Sequence, residues 1–493
     1  MPMSRQIRAD YSQDFLLPPS LEEWVGPEHP ARFIRAFVES LDWAALGVQW
    51  NAGVEGRPTY GADLLLKVWL YGYFVGLRST RTLEAACREQ MGLLWLAGLN
   101  APDHNTLWRF FERNRAALRG LFGQSVKVAV NANLVGLALH ALDGSKIQAQ
   151  SATASGLHLE KLKRKLAHLD EIVGAWEREI ESSAAPEEPG TGLPEALQDE
   201  ARLREEIKKQ IAALEEAGHK HLHPGEPEAR VMKCSDMNAK RFAYNSQAVA
   251  DADSGILVAQ DVSCEQNDLH QLAPMLERVH ETLGACAQLT VADTGYAAGE
   301  QLARAHAAHH DVAVHLPRAM SGHAQPPYHA SHFTYDPEHD AVICPRGQTL
   351  AYQHTRHHQR RGQDLRLYRC HNKDCPVRAH CTHERKGRSI ELGPYHHAVQ
   401  HQRHRNTQPD AIHALHQRGA IIERVFAHIK QTMNFRRYTL RGLEKTKTQW
   451  ALICTAYNLQ KLYQLWRTPA APPHPTRHPH RLQPNRQFAL TAF

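Results

Sequence analysis

At Leu134 the helical periodicity of this chain gives way to short apolar runs alternating with helical stretches, a pattern that confines the fold to a mixed α/β architecture. The first run, VGLALHALDG, ends in Asp-Gly, so a buried strand is expected to feed a turn and leave Asp143 at the strand end. AQLTVAD repeats the pattern and sets Asp293 at the end of another strand. Between them, RFAYNSQAVADADSGILVAQDVS reads as two strands turning at Asp-Ala-Asp-Ser-Gly. A helix over 268–283 and, after Asp293, a further helix and the strand VAVHL continue the alternation.

Upstream, residues 1–133 read as a helical domain, with Leu64, Leu65, Val68, Trp69, Tyr71 and Tyr73 at helical spacing and further helices expected over 82–91 and 105–121. The last of these carries Arg109, Arg113 and Arg115 beside Trp108 and Phe110. That composition suits a helix lying on DNA and equally a solvated basic face over a core stripe, and spacing does not choose between them. Residues 157–217 form a charged insertion in which Leu159, Leu162, Leu166, Leu169, Val173, Trp176 and Ile180 alternate three- and four-residue steps. After the turn-rich SSAAPEEPGTGLP, Leu203, Ile207, Ile211 and Leu214 predict a returning helix. This hairpin suits self-association, contact with DNA through its lysines, or packing on its own chain. A second insertion over 320–408 is rich in Cys and His and reads as irregular; a helix over 410–433 follows, within a core that runs to 467. Residues 468–493, rich in Pro, His and Arg, are expected to be a disordered basic tail.

With 493 residues the chain is too long for one ordinary domain, and its 42% apolar content supplies core for two or three. The net charge of +6 is modest, but the positive excess grows from Arg318 through Arg441, which suggests a polyanionic partner. No run is apolar and long enough for a bilayer, and MPMSRQIRADYSQDF lacks the apolar core of a signal peptide, so a cytoplasmic address is expected. Nine cysteines, five of them solitary, fit a reducing compartment. The other four, Cys344, Cys370, Cys375 and Cys381, lie in ICPRGQ and YRCHNKDCPVRAHCT and read either as a structural zinc site or as four free thiols, with His371, His380 and His383 as substitute ligands. The basic stretch from Arg356 to Arg369 with Tyr368, and the later Arg436, Arg437 and Arg441, suit a phosphate backbone or a solvated face.

Asp143, Asp293 and Glu423 have the chemistry for two Mg²⁺ (or Mn²⁺) ions, which take oxygen ligands and bind through a few carboxylates plus substrate phosphate. Glu423 lies in IIERVFAHIK, where Ile422 and Phe426 make an apolar side and Arg424, Lys430, Arg436 and Arg437 supply cations. Glu423 and Lys430 are seven residues apart, two turns of an α-helix, and so are expected on one face. Asn245 and Gln247, in YNSQ, either point toward the acids or pair with neighbouring backbone.

Taken together, LDGSKI, VADTGY and IIERVFAHIK with the trailing NFRRYTLRGLEKT resemble the DDE transposases of bacterial insertion sequences. GRPTYGADLLLKVWLYGYFVGLRSTRTLEAACREQMGLLWLAG is similar to that family's N-terminal helical domain, and YNSQAVADADSGILVAQDVS also falls within the resemblance. The resemblance implies a ribonuclease-H-like core with Asp143, Asp293 and Glu423 as catalytic, metal-binding acids. Lys430 is similar to the family's lysine after the glutamate, and Arg418 stands where a basic residue often precedes it. The tyrosine that some members place upstream of that arginine has no counterpart, since Leu415 and His416 occupy the region. Implied with the family are binding of the element's terminal inverted repeats, Mg²⁺-dependent nicking, transfer of the freed 3′-hydroxyl to target DNA, a homodimer on DNA and association with the nucleoid. DNA contacts are expected from Arg109, Arg113, Arg418, Lys430, Arg436 and Arg437. Two other readings keep the same residues: a metal-dependent nuclease that never joins strands, and a non-catalytic DNA-binding descendant of a transposase.

Overall fold

In the computed structural model, residues 20–49, 59–152, 156–183, 195–216, 218–234, 239–317, 326–359 and 362–467 are described. The expected tail, the SSAAPEEPGTGLP turn and the side chains of Trp176 and Ile180 lie outside them. The chain divides into two units, one taking residues up to Ser125 and those from Thr455, the other Val126–Cys454. The boundary expected at 133/134 therefore falls earlier. The last described residues also belong to the helical unit, where the Tyr463 ring lies near those of Phe33 and Phe74 and its hydroxyl donates a hydrogen bond to the Glu28 carbonyl.

The helical unit contains α1 (Pro30–Glu39), α2 (Trp43–Leu46), α3 (Ala62–Val75), α4 (Thr80–Glu89), α5 (Met91–Leu96), α6 (His104–Arg113) and the start of α7 (Arg115–Asn131). Pro30 opens α1, where a missing N–H costs nothing. Helix α3 is buried nearly all round, which fits its central place. The helix expected over 105–121 is two helices broken at Asn114. Its buried side chain donates to the Phe110 carbonyl at 3.0 Å and accepts from the Gln49 N–H at 2.7 Å, offering the backbone partners that compete with helix continuation. The start of α6 is capped by Asp103 and by Glu84 of α4, whose carboxylate accepts from the His104 N–H at 3.0 Å.

In the other unit, β1 (Leu139–Gln148) leads through β2 (Leu157–His158) into the hairpin of α8 (Leu159–Ser183) and α9 (Glu195–Glu216), then β3 (His221–Leu222), β4 (Arg230–Cys234), β5 (Ala239–Asp251) and β6 (Leu257–Ser263). The helices run antiparallel over a seam of Leu162, Leu169, Ile207, Ile211 and Leu214, with Lys163–Glu215 and Arg204–Asp170 ion pairs along the flank. At the hairpin base β2 pairs with β3, Leu157 opposite Leu222. The strands β5 and β6 form the expected hairpin, its turn fixed by Asp251 accepting from the Ser254 N–H and hydroxyl, both at 2.8 Å.

The chain continues through α10 (Leu272–Leu283), β7 (Leu289–Ala292), α11 (Gly299–Ala307) and β8 (Val312–Val314). The main sheet has the order β4-β5-β1-β7-β8, with β6 also on β5. β1, β5 and β6 are antiparallel in turn, whereas β7 and β8 run parallel to β1. This is the mixed α/β, ribonuclease-H-like core expected from the sequence. One face, through Leu142, Val249, Val258 and Ala292, packs on Leu272, Met275 and Leu276 of α10 and Leu302 of α11.

Residues 326–408, expected to be irregular, contain a second sheet instead. Its strands are β9 (Thr334–Asp336), β10 (Ala341–Ile343), β11 (Thr349–His358), β12 (Gln363–Arg369) and, after the short α12 (Arg378–Cys381), β13 (Ser389–Leu392). They lie antiparallel in the order β13-β12-β11-β10-β9. The sequence concealed it because β11 is exposed along most of its length and so lacks the apolar alternation that marks a strand. After α13 (His396–Arg405), α14 (Pro409–Ala427) packs on β1, β5, β7 and β8, widens into a π turn at His428–Thr432, and is followed by α15 (Leu443–Arg467). Among the described residues no helix is long and apolar enough to cross a membrane.

Candidate active site

Strand β1 does not end at Asp143. It runs on to Gln148, with Asp143 opposite Ala248 and Gly144 opposite Gln247 of β5. Glycine is required here for close approach and not for a turn: a Cβ on Gly144 would lie 2.8 Å from Asp268 Oδ1 and 3.0 Å from Asn245 Oδ1. On the other side of β1 the pairing with β7 stops at Ala141↔Val291. Two residues further along each chain stand Asp143 and Asp293, near enough for the Asp293 charge to act on Asp143. Asp293 stands just past β7, as expected, and accepts the Gly295 N–H at 2.8 Å.

Because side chains alternate along a strand, Asp143 faces away from Leu142 and its α10 core, toward the face on which α14 lies. From α14, Arg418 donates to Asp143 Oδ2 at 3.0 Å through Nη1, and its Nη2 stands 3.6 Å from Glu423 Oε1. The Arg418 side chain is 15% exposed and Asp143 19%, against 67% for Glu423, so the arginine links a buried acid to an open one. Burial pushes the Asp143 carboxyl up to about 6 against the pull of Arg418, and the negative charge of Asp293 adds to the rise. His315, after β8, is held below its ordinary range chiefly by burial and then by the Arg418 charge.

Behind β1 lies a carboxylate that the motifs did not reveal. Asp268 accepts Lys146 Nζ at 2.9 and 3.0 Å, and the amides of Asn245 and Gln247 at 2.7 Å each. Asn245 and Gln247 are thus buried ligands of an acid, and the Asn245 amide also donates to the Asn267 backbone carbonyl at 3.3 Å. Tyr296, fully buried and held protonated by burial, donates to Gln247 Oε1. In the sequence Asp268 was read only as the first residue of the helix expected over 268–283, which in the structure starts at Leu272.

Fit to a divalent cation can be tested on this donor set. Asp143, Asp293 and Glu423 offer oxygen only, as Mg²⁺ or Mn²⁺ prefers. Among the described residues, however, no three His, Cys, Asp or Glu side chains stand as a group ready to hold a metal. The Arg418 guanidinium takes the place of a cation between Asp143 and Glu423. The acids fit the ion chemically, and Arg418 must yield ground to it.

The remaining basic residues divide. Arg109 and Arg113 are exposed on α6, opposite the buried Leu107, Phe110 and Phe111. Lys430 falls in the π turn, so the two-turn spacing that would align it with Glu423 is not kept. Arg436 is exposed, whereas Arg437 is tied to the end of β1, donating to the Ala149 carbonyl at 3.3 Å and to that of Gln150. In the second sheet Arg356 pairs with Glu391, and Arg366 pairs with Asp340 over the Tyr352 ring, so both have partners within the protein.

The four clustered cysteines gather at one end of the second sheet. Cys344 follows β10, Cys370 follows β12 and Cys381 ends α12, all three packed against the Phe333, Val342 and Tyr368 core. Cys344 Sγ accepts the N–H groups of Arg346 at 3.4 Å and Gln348 at 3.3 Å. Burial raises the Cys381 thiol, and the other three cysteines add to the effect.

Comparison with known families gives two matches. Residues 343–463 match a transposase DDE domain, and residues 19–113, in the helical unit, match a second transposase domain. The first match contains Arg418, Glu423 and the four cysteines; Asp143 and Asp293 precede it. No curated protein matches the chain.

Proposed function

We propose, from the premise that this chain belongs to the DDE transposases of insertion sequences, that it binds the terminal inverted repeats of its element, nicks them and joins the freed ends to target DNA. The observation that carries this reading is the meeting of Asp143, Arg418 and Glu423, with Asp293 on the neighbouring strand end. When bound, paired Mg²⁺ or Mn²⁺ would lower the pKa of the attacking water or hydroxyl and stabilise the leaving oxygen. Asp143 and Asp293 would hold such ions from the strands and Glu423 from α14. Arg418, which now holds Asp143 and Glu423, would be free when ions take its place to meet a phosphate oxygen, which its guanidinium suits. Glu423, the most exposed acid, marks the side from which DNA would approach.

The same pocket would serve cleavage and joining, because water and a 3′-hydroxyl are equivalent nucleophiles in an in-line displacement. Joining two element ends calls for a pair of protomers on DNA, and Arg109, Arg113, Lys430 and Arg436 are the cations we assign to DNA contact. The test is incubation of purified protein with a labelled element end and Mg²⁺, mapping the nick and recovering any covalent donor-to-target product. Alanine at Asp143, Asp293 or Glu423 is expected to abolish cleavage while DNA binding survives. Cleavage retained in any one of them overturns the assignment, and a nick without joining leaves a nuclease.

We also infer that Cys344, Cys370, Cys375 and Cys381 would close on a structural Zn²⁺; as they stand they do not form a metal-ready group among the described residues, and the reading is supported by the three that meet at one sheet end, by the charge interaction of Cys381 with the other three and by the two N–H groups directed at Cys344 Sγ.

A further inference from the structure

Asp268 stands where both glycines next to the paired aspartates converge. A Cβ on Gly144 would lie 2.8 Å from Asp268 Oδ1; a Cβ on Gly295 would lie 3.4 Å from Asp268 Oδ2 and 2.9 Å from Asp293 Oδ1. The glycine of LDGSKI therefore leaves room for the Asp268 carboxylate, which also lies in ordinary contact distance of the glycine of VADTGY. Its donors come from the same segments: Lys146 from LDGSKI, and Asn245 and Gln247 from YNSQ on the paired strand. Gln247 in turn accepts from Tyr296, the last residue of the turn that Asp293 caps. A closed path thus runs from β1 through Lys146 to Asp268, on through Gln247 to Tyr296, and back to Asp293.

This path lies where β1 has lost its β7 neighbour. Ladder hydrogen bonds between the two strands end at Ala141 and Val291, so beyond that point no backbone pairing fixes the distance between Asp143 and Asp293. The Asp268 network spans the gap on one face of the sheet, while α14 packs on both strands from the other. We propose that Asp268, anchored by Lys146, is a positioning residue that sets the separation of the Asp143 and Asp293 carboxylates and so the affinity of the site for divalent metal. The proposal rests on the metal-dependent reading above. Asp268 is assigned no contact with the metal or with DNA; it acts through the turn 293–296 and β1.

Asp268→Asn keeps the size of the side chain and an Oδ1 acceptor for the three donors, but it removes the charge that anchors Lys146 and sets an amide donor where Oδ2 accepts the ammonium, which weakens the path at Lys146 without opening a cavity. Lys146→Gln is the milder variant, since Asp268 keeps Asn245 and Gln247. The experiment measures Mn²⁺ binding to the full chain by electron paramagnetic resonance, and separately the Mg²⁺ concentration giving half-maximal cleavage. For Asp268→Asn, Mn²⁺ affinity is expected to fall at least tenfold. Half-maximal cleavage should shift to correspondingly higher Mg²⁺, while the rate at saturating Mg²⁺ recovers to within about threefold of the wild type, because saturating metal pulls the acids into place. DNA affinity should not change. Lys146→Gln should lie between wild type and Asp268→Asn.

A merely structural role would lower the fraction of folded protein and the saturated rate together and leave metal affinity per folded molecule unchanged; that result overturns the proposal, as does wild-type Mn²⁺ affinity in both variants. If Asp268→Asn does not fold, Lys146→Gln decides alone by the same two measurements. Wild-type protein that binds no Mn²⁺, or whose binding survives Asp143→Ala, sinks the metal reading itself and the positioning role with it.

Discussion

Arg418 and Asp143 are 275 positions apart in the chain, yet a guanidinium nitrogen of one lies 3.0 Å from a carboxylate oxygen of the other. The pair joins the helix that carries Glu423 to the central strand of the sheet, and it places a fixed cation where the proposed metal would sit. Asp143 therefore has two suitors.

Arg418→Gln is expected to lower stability in metal-free buffer by about 1–3 kcal/mol, because it leaves a largely buried carboxylate without its cation. Added Mg²⁺ should narrow the difference, since the ion supplies the missing charge. Chemical denaturation of both proteins with chelator and with Mg²⁺ checks this, and an unchanged gap in Mg²⁺ would count against competition between arginine and metal.

Proton linkage gives a second outcome. The Asp143 carboxyl rises from 3.8 to about 6 on folding, so between these values the native state binds more protons than the unfolded chain and stability falls as pH rises through the window. Above it the fold carries an ionised, poorly solvated group. Asp143→Asn should therefore be more stable than wild type above about pH 6, by roughly 1–3 kcal/mol at about 1.4 kcal/mol per unit, and lose that advantage below about pH 4. Urea unfolding at three pH values measures it; a pH-independent difference contradicts the cause assigned here.

For DNA binding, the double variant Arg109→Ala with Arg113→Ala should reduce the slope of log affinity against log salt by about 2, near 0.9 for each phosphate that is no longer neutralised. Fluorescence anisotropy on an element end across a salt series reads the slope directly. An unaltered slope returns both residues to the solvated face of α6.

Protein purified under reducing conditions is expected to contain roughly one zinc per chain, and Cys370→Ser to lose it. Atomic emission analysis settles the content. Metal-free protein with unchanged thermal stability would make the four thiols ordinary packing residues.

Beside the hairpin base, fully buried Glu226 accepts the Ser151 N–H at 3.0 Å, the Ser151 hydroxyl and the Tyr244 hydroxyl at 3.0 Å. Glu226→Leu strands these donors and should lower unfolding free energy by about 2–4 kcal/mol, more than Glu226→Gln, which keeps an acceptor. Equal losses would show that the charge and not the acceptor matters.

Much of this was legible in the sequence because it rested on local pattern. The β5–β6 turn, the leucine seam of α8 and α9 and the end of β7 at Asp293 each depend on a few neighbouring residues. Asp143-Gly144 misled because the glycine answers to Asp268, 124 positions away, and not to a turn. The second sheet escaped notice because β11 spends His, Gln and Arg where a half-buried strand would show apolar alternation. Asp268 itself was invisible: its partners come from two other strands, and no spacing within its own segment announces them.

The pairing of Leu157 with Leu222 has a wider bearing. It brings the two ends of the α8–α9 excursion to about 4.8 Å of each other, so the excursion leaves and rejoins the chain at one node. Such a node accepts pruning. A short Gly-containing linker across it would leave β1 and β4 with the same backbone path, so the branch can be shortened without redrawing the sheet.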